Sequence, residues 1–174
     1  MMGPLVIKIK KFHDERGVFF ESYRANTYAA RGIAPFVQEN ISLSQKGVLR
    51  GLHFQNPHPQ GKLLTVLSGS IYDVCVDLRP SSPTFGQYLS IDLTAQADEH
   101  FYVPPGFAHG FCALADNTLV QYQCTDYYAP QAEKTLLWND PTINIPWPLT
   151  NPLLSAKDQA GRVLTAFNDA DLKF

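Results

Sequence analysis

Long apolar runs are missing from this 174-residue sequence. No stretch approaches the roughly 20 residues that a bilayer-spanning helix needs, so no membrane segment is expected. The first residues, Met1 to Lys8, lack an extended apolar core, and no signal peptide is expected either. Charge is sparse: 17% of residues are charged and the formal net charge is −2. Such a chain does not grip nucleic acid or an anionic membrane through bulk charge, so any phosphate recognition has to be local. Cysteine is scarce and odd in number. Cys75, Cys112 and Cys124 form no CxxC pair. That argues against a disulfide framework or a zinc site and for buried thiols in a reducing, cytoplasmic compartment.

Familiar site signatures are missing too. There is no G-x-G-x-x-G, and Asn56 stands where a P-loop ending at Gly61-Lys62 would place its first glycine. No G-x-S-x-G elbow occurs. No H-x-H pair exists; His53 and His58 are split by a proline-containing turn and His109 stands alone, so no metal site is expected.

What is present is aromatic and β-branched. The chain is 45% hydrophobic, with 11 Phe, 8 Tyr and 2 Trp, and 11 Gly and 13 Pro punctuate it at short intervals. Short apolar stretches between turn residues predict many strands. Leu5, Ile7 and Ile9 alternate with more polar neighbours, as on an edge strand with one wet face. Residues 71–78 alternate as well, with Tyr72, Val74, Val76 and Leu78 on one face and Asp73, Cys75 and Asp77 on the other. Further strands are expected at 17–23, 36–44, 48–55, 62–68, 87–93, 99–103, 108–115 and 118–128. Helices are expected only at 22–31 and 168–173. At about 150 residues per domain the length fits one domain, 1–174. Ten or so short strands in one domain need a closed or double-sheet architecture that hides their edges, and a jelly roll is the natural choice.

The segment from Gln38 to Gln55 holds the densest polar chemistry. Arg50 sits among Leu49, Gly51 and Leu52, where an arginine calls for an anionic partner, either a structural carboxylate or a ligand phosphate. Simple alternation puts Arg50 and Leu52 on one face and Gly51 and His53 on the other. His53 is equally a hydrogen-bonded core histidine or a base. Lys62 opens an apolar run, either as a solvated strand end or as an ammonium aimed into a barrel mouth. His109, after the Pro104-Pro105-Gly106 turn, either lines a pocket or bonds the turn. Tyr122 reads as strand filler, and Tyr127-Tyr128 as stacking or packing aromatics. Composition alone makes Ser155-Ala156-Lys157-Asp158 a surface turn.

Taken in order, Asp14 to Glu21, Gln38-Glu39-Asn40, Leu49 to Gln55, Gln60 to Leu63, Gly69 to Val74, Asp77-Leu78-Arg79, Ser82 to Gly86, Pro105 to Phe111, Asn139-Asp140-Pro141 and Leu154 to Asp158 resemble the dTDP-4-dehydrorhamnose 3,5-epimerase family. The resemblance spans about residues 3–160. It implies an all-β, cupin-like double-stranded β-helix with a few short helices. It also implies a homodimer and an epimerase of dTDP-L-rhamnose synthesis that uses no cofactor. The implied substrate is dTDP-4-dehydro-6-deoxy-D-glucose. By its motifs His53 matches the general base, Asp158 the carboxylate paired with it, Lys62 the lysine beside the 4-keto oxygen and Tyr122 the proton donor on the opposite face. Arg16, Glu21, Gln38, Glu39, Asn40, Arg50, His109, Glu133 and Lys157 match nucleotide-sugar contacts, and Phe19 and Tyr128 the aromatics near the base. Arg16 to Glu21 would reach the site from the partner subunit. The segment before Gly3 is shorter than in many relatives, which bears on dimer contacts.

That reading has a physical basis. A ketone at C4 acidifies the C–H bonds on both sides, because the carbanion delocalises into an enolate. The enolate needs a nearby cation, the base must titrate near neutral pH, and a carboxylate can fix its tautomer. Three rivals remain at this stage: a 3-only or 5-only epimerase, a non-catalytic nucleotide-sugar binder and a metal-dependent cupin enzyme.

Overall fold

The computed structural model describes residues 2–174, so Met1 of the expected domain lies outside the described residues. Two five-stranded antiparallel sheets carry the fold. The first runs β1 (Leu5–Lys8), β9 (Glu99–Val103), β6 (Lys62–Ser68), β11 (Thr118–Cys124) and β4 (Gln38–Ser44) from edge to edge. The second runs β12 (Glu133–Thr135), β5 (Leu49–Gln55), β10 (Phe107–Ala113), β7 (Ser70–Asp77) and β8 (Tyr88–Thr94). A separate hairpin pairs β2 (Lys11–Asp14) with β3 (Gly17–Phe20). The architecture is the all-β jelly roll that the strand spacing implies.

Alternation explains which faces pack. On β7, Val74 and Val76 enter one apolar cluster with Leu52 and Phe54, while Ile71 and Cys75 enter a second with Val66, Phe101 and Val120. β7 is therefore covered on both sides, which accounts for its apolar composition. β1 is the predicted edge strand: Ile7 is buried and Val6 and Lys8 face out. A third cluster places Tyr28 and Ile33 over Leu63 and Tyr102. It seats the short helix α1 (Ala25–Ala29) on the outside of the first sheet.

Some elements differ from their sequence-based bounds. The strand expected at 118–128 ends at Cys124. The helix expected at 168–173 is absent. There Asn168 Oδ1 accepts from Asp171 N–H at 3.0 Å, and Asp171 Oδ2 accepts from Asn168 N–H at 3.2 Å. Asn and Asp side chains that bond nearby backbone in this way replace a helix with a turn. β2 and β12 escaped the sequence reading, being four and three residues long.

Alternation also fails on β5, and this matters for the site. His109 pairs with His53 and Phe111 with Arg50, so three steps on β5 match two on β10. The extra residue is a bulge. It brings Arg50 and His53 to the same cavity, whereas simple alternation set them on opposite faces. Gly51 permits it. Its φ is +128°, and a Cβ there would lie 2.5 Å from the Gly110 Cα. Only a glycine fits so close an approach at that φ.

Candidate active site

The two sheets enclose a cavity of about 610 Å³ at one end of the sandwich. Its walls hold Gln38, Asn40, Arg50, His53, Lys62, His109, Tyr122, Tyr128, Glu133, Lys157 and Asp158. The two sheets supply different chemistry. β5 and β10 bring the histidines His53 and His109, which face each other in register. β6, β11 and β4 bring Lys62, Tyr122 and Asn40; Tyr122 lies opposite both Leu64 and Asn40, and Cys124 opposite Lys62. The imidazole of His53 and the phenol of Tyr122 thus approach one space from opposing sheets.

His53 Nε2 lies 2.5 Å from Asp158 Oδ1. Asp158 sits on α2 (Ala156–Gln159), a single turn that composition alone reads as an exposed turn. Ser155 caps it: its Oγ accepts from Asp158 N–H at 3.1 Å and donates to Asp158 Oδ2 at 2.8 Å. The carboxylate is therefore oriented at both oxygens and is buried. Burial lowers the pKa of His53, and Asp158 partly offsets that. Burial tends to raise the pKa of Asp158, but its bond to His53 and its other contacts bring the net value below the ordinary one.

His109 Nε2 lies 2.9 Å from Asp73 Oδ2. Asp73 is on β7, the next strand of the same sheet, and is fully buried. The alternative of a bond to the turn backbone is replaced by this carboxylate. Lys62 is half-buried at the start of β6, and burial lowers its pKa. Among the described residues it forms no ion pair. Burial raises the pKa of Tyr122, which keeps its phenol protonated.

Arg50 is exposed at the cavity rim. It donates to Ser44 Oγ at 3.1 Å and to the Leu43 carbonyl at 3.3 Å, and no carboxylate of the described residues pairs with it. Glu133 accepts from Lys157 Nζ at 2.8 Å and from the Tyr128 hydroxyl at 2.8 Å.

Three glutamines shape the loop that carries Tyr128. Gln38 Oε1 accepts from Tyr128 N–H at 2.7 Å, Gln60 donates to the Asp126 carbonyl at 2.8 Å, and Gln55 bonds the Tyr127 carbonyl and Ala129 N–H. These bonds take over where β11 stops. Gln55, Asp73 and Ser155 were not singled out as site residues from the sequence. For Gln55 and Asp73 the signal lay in polar residues at buried strand positions; Ser155 lies off the sheets, at the start of α2, where only the cap pattern could mark it.

Four expected site residues lie outside this cavity in the single chain. Glu39 points away and accepts from Gln123 Nε2 at 3.0 Å. Arg16 pairs with Asp14, Glu21 pairs with Arg24, and Phe19 is 72% exposed on the β2–β3 hairpin. A second hollow, of about 810 Å³, gathers Pro59, Pro80, Pro104 and Pro105 around Tyr102 and holds none of the candidate acid–base groups. Among the described residues no group of three or more His, Cys, Asp or Glu side chains is placed to hold a metal ion, and no helix is long and apolar enough to cross a membrane. All three cysteines are free and buried.

Comparison with known proteins gives this cavity a context. A protein from Neisseria gonorrhoeae described as dTDP-4-dehydrorhamnose 3,5-epimerase is 49% identical over 172 residues, which cover 97% of this chain and 52% of that protein. The chain thus spans about half the length of that relative. A Shigella flexneri protein of the same description is 46% identical over 170 residues, covering 96% of this chain and 92% of its own. Among solved structures, a dTDP-6-deoxy-D-glucose-3,5-epimerase from Legionella pneumophila in complex with dTDP-4-keto-L-rhamnose superposes with a TM-score of 0.94 at 45% identity, covering 97% of this chain and 92% of that one. A 3′-monoepimerase from Streptomyces bikiniensis in complex with dTDP-quinovose superposes at 0.88 with 31% identity, covering 94% and 84%. The profile of the family described as dTDP-4-dehydrorhamnose 3,5-epimerase matches residues 1–166, and with these relatives it shows that the chain belongs to that family.

Proposed function

We propose that this protein epimerises dTDP-4-dehydro-6-deoxy-D-glucose at C3 and C5, giving dTDP-4-dehydro-L-rhamnose, by removing a proton on one face of the sugar and returning one on the other. The observation that carries this is the placement of His53 and Tyr122 on opposing sheets across one cavity, with Lys62 between β9 and β11 on the Tyr122 side.

Each group has a role that its surroundings support. With His53 Nε2 engaged by Asp158, Nδ1 is the nitrogen left for the substrate proton. Burial keeps the free imidazole neutral and so able to accept a proton, and Asp158 stabilises the imidazolium formed on proton pickup. Lys62, on the same side of the cavity as Tyr122, is the ammonium that stabilises the enolate oxygen. Tyr122 returns the proton from the far face. The ketone supplies the acidity at both carbons, so these side chains suffice. Arg50 and Lys157 at the rim serve the diphosphate, with Gln38, Asn40 and His109 completing the nucleotide-sugar contacts and Tyr128 the aromatic wall.

The protein acts as one jelly-roll domain and as a homodimer. Phe12, Val18 and Phe19 of the β2–β3 hairpin and Ile41 and Leu43 on the outer face of β4 are exposed, an apolar surface that a second copy would cover. The same contact brings Arg16, Phe19 and Glu21 to the partner's cavity, with Glu39 beside it. A cytoplasmic location fits the three free thiols.

The test is incubation with the 4-keto sugar in D₂O, read by proton NMR. Deuterium entering at both C3 and C5 is expected. Incorporation at one carbon alone favours the monoepimerase reading, which the Streptomyces relative supports. Binding without exchange would overturn catalysis.

A further inference from the structure

We infer that Glu133 is a positioning residue for the base: by gripping Lys157 it holds α2, and with it Asp158, against His53. The inference rests on His53 acting as proposed above. Resemblance assigns Glu133 and Lys157 to the ligand, whereas the geometry points each of them first at the other.

α2 is one turn long, too short to hold its shape alone. It hangs between two anchors, a bridge from Leu153 to Val48 before it and one from Arg162 to Leu136 after it. Between those anchors two consecutive side chains tie it to the second sheet. Asp158 reaches His53 on β5 at 2.5 Å, and Lys157 reaches Glu133 on β12 at 2.8 Å. β12 pairs with β5 in register, with Thr135 opposite His53 and Glu133 opposite Gln55, so both ties end on the same pair of strands. Tyr128 fixes the other Glu133 oxygen, so the carboxylate cannot swing away. Among the described residues, losing the Lys157 tie leaves the Asp158–His53 bond as the one side-chain hydrogen bond between α2 and those strands.

The groups that face His53 are Asp158 and Lys157 from α2, Lys62 from β6, Tyr122 from β11, Glu133 from β12 and His109 from β10, with Arg50 on its own strand and Tyr128 on the loop after β11. Of these, Asp158 stabilises the imidazolium directly, Glu133 adds to it through space, and Lys62 and Lys157 oppose it. A looser α2 weakens the one strong support, so the midpoint of His53 falls.

The experiment is an NMR titration of the His53 ring in the free protein, with E133Q and E133D alongside wild type. E133D keeps the charge and shortens the reach by one methylene. A fall in the midpoint of about half a unit or more is expected in both variants. Steady-state kinetics should show kcat down by about tenfold to a hundredfold, the scale of a small misplacement of a reacting group. A midpoint unchanged in both variants overturns the inference. So does a fall in E133Q with wild-type behaviour in E133D, which would make the charge and not the bridge the cause. A rise in KM with an unmoved midpoint also overturns it, in favour of a plain ligand contact. The titration needs no substrate, so its result is separate from the fate of the epimerase reading.

Discussion

Two histidines stand side by side in this cavity, each bonded to an aspartate, yet the pairs are built differently. His109 and Asp73 lie on neighbouring strands of one sheet, and backbone pairing sets their separation. His53 takes its aspartate from 105 positions away, on a single turn of helix outside the sheet. The first pair is as rigid as the sheet. The second depends on a cap at Ser155 and a tie at Lys157. Under the proposed function, the histidine that takes up the proton is the one whose carboxylate stands on this short arch. The histidine beside it is fixed as a wall.

The largest expected effect falls on His53 and on Lys62 across the cavity from it. His53→Ala and Lys62→Ala should each cut solvent deuterium exchange by about 10²–10⁴-fold while circular dichroism stays that of wild type. Wild-type exchange in either variant would break the proposed assignment. Asp158→Asn should cost about 10²-fold or more in kcat with a small change in Tm. Asp73→Asn should do the reverse. It disturbs a fully buried hydrogen-bonded group, at about 1–3 kcal/mol in urea unfolding. If Asp73→Asn costs activity alone and Asp158→Asn costs stability alone, the contrast between the pairs is wrong.

A third histidine sharpens the comparison. His100 is fully buried, its Nδ1 hydrogen-bonds with the Tyr28 hydroxyl at 2.8 Å, and it has no partner at Nε2 among the described residues. Burial, aided by Lys11, holds its pKa down at about 4. The unfolded chain binds a proton at the ordinary 6.5, so between 6.5 and 4 the unfolded state takes up more protons. Stability therefore falls as pH drops through that window, by about 3 kcal/mol at the bottom. His100→Asn should flatten that slope in urea unfolding series at pH 7 and pH 4. His53 follows the same direction in activity. Its pKa lies below the ordinary value, so the acid limb of kcat/KM should have its midpoint below 6.5. A midpoint above 6.5 would show that Asp158 outweighs burial.

The same contrast shows what can be read along a chain. Asp73 belongs to a strand whose alternation is plain, with Cys75 and Asp77 on the same face. His109 lies on β10, which is buried along its whole length, so alternation does not mark its place. Asp158 was recoverable only through resemblance, because composition made its segment a surface turn. Arg16, Phe19 and Glu21 are exposed, and nothing local in the sequence marks them as site residues.

Composition and periodicity by themselves determined the all-β class, most strand positions and the free buried thiols, because strand formation is set by neighbouring residues and side-chain polarity. Ordered motifs pointed to the family. Only the tertiary structure decided that Arg50 and His53 share a cavity, because a bulge at Gly51 reverses the alternation that sequence implies. Only it joined Asp158 to His53, since a contact across 105 positions arises from the folding of two sheets and a short arch around one space.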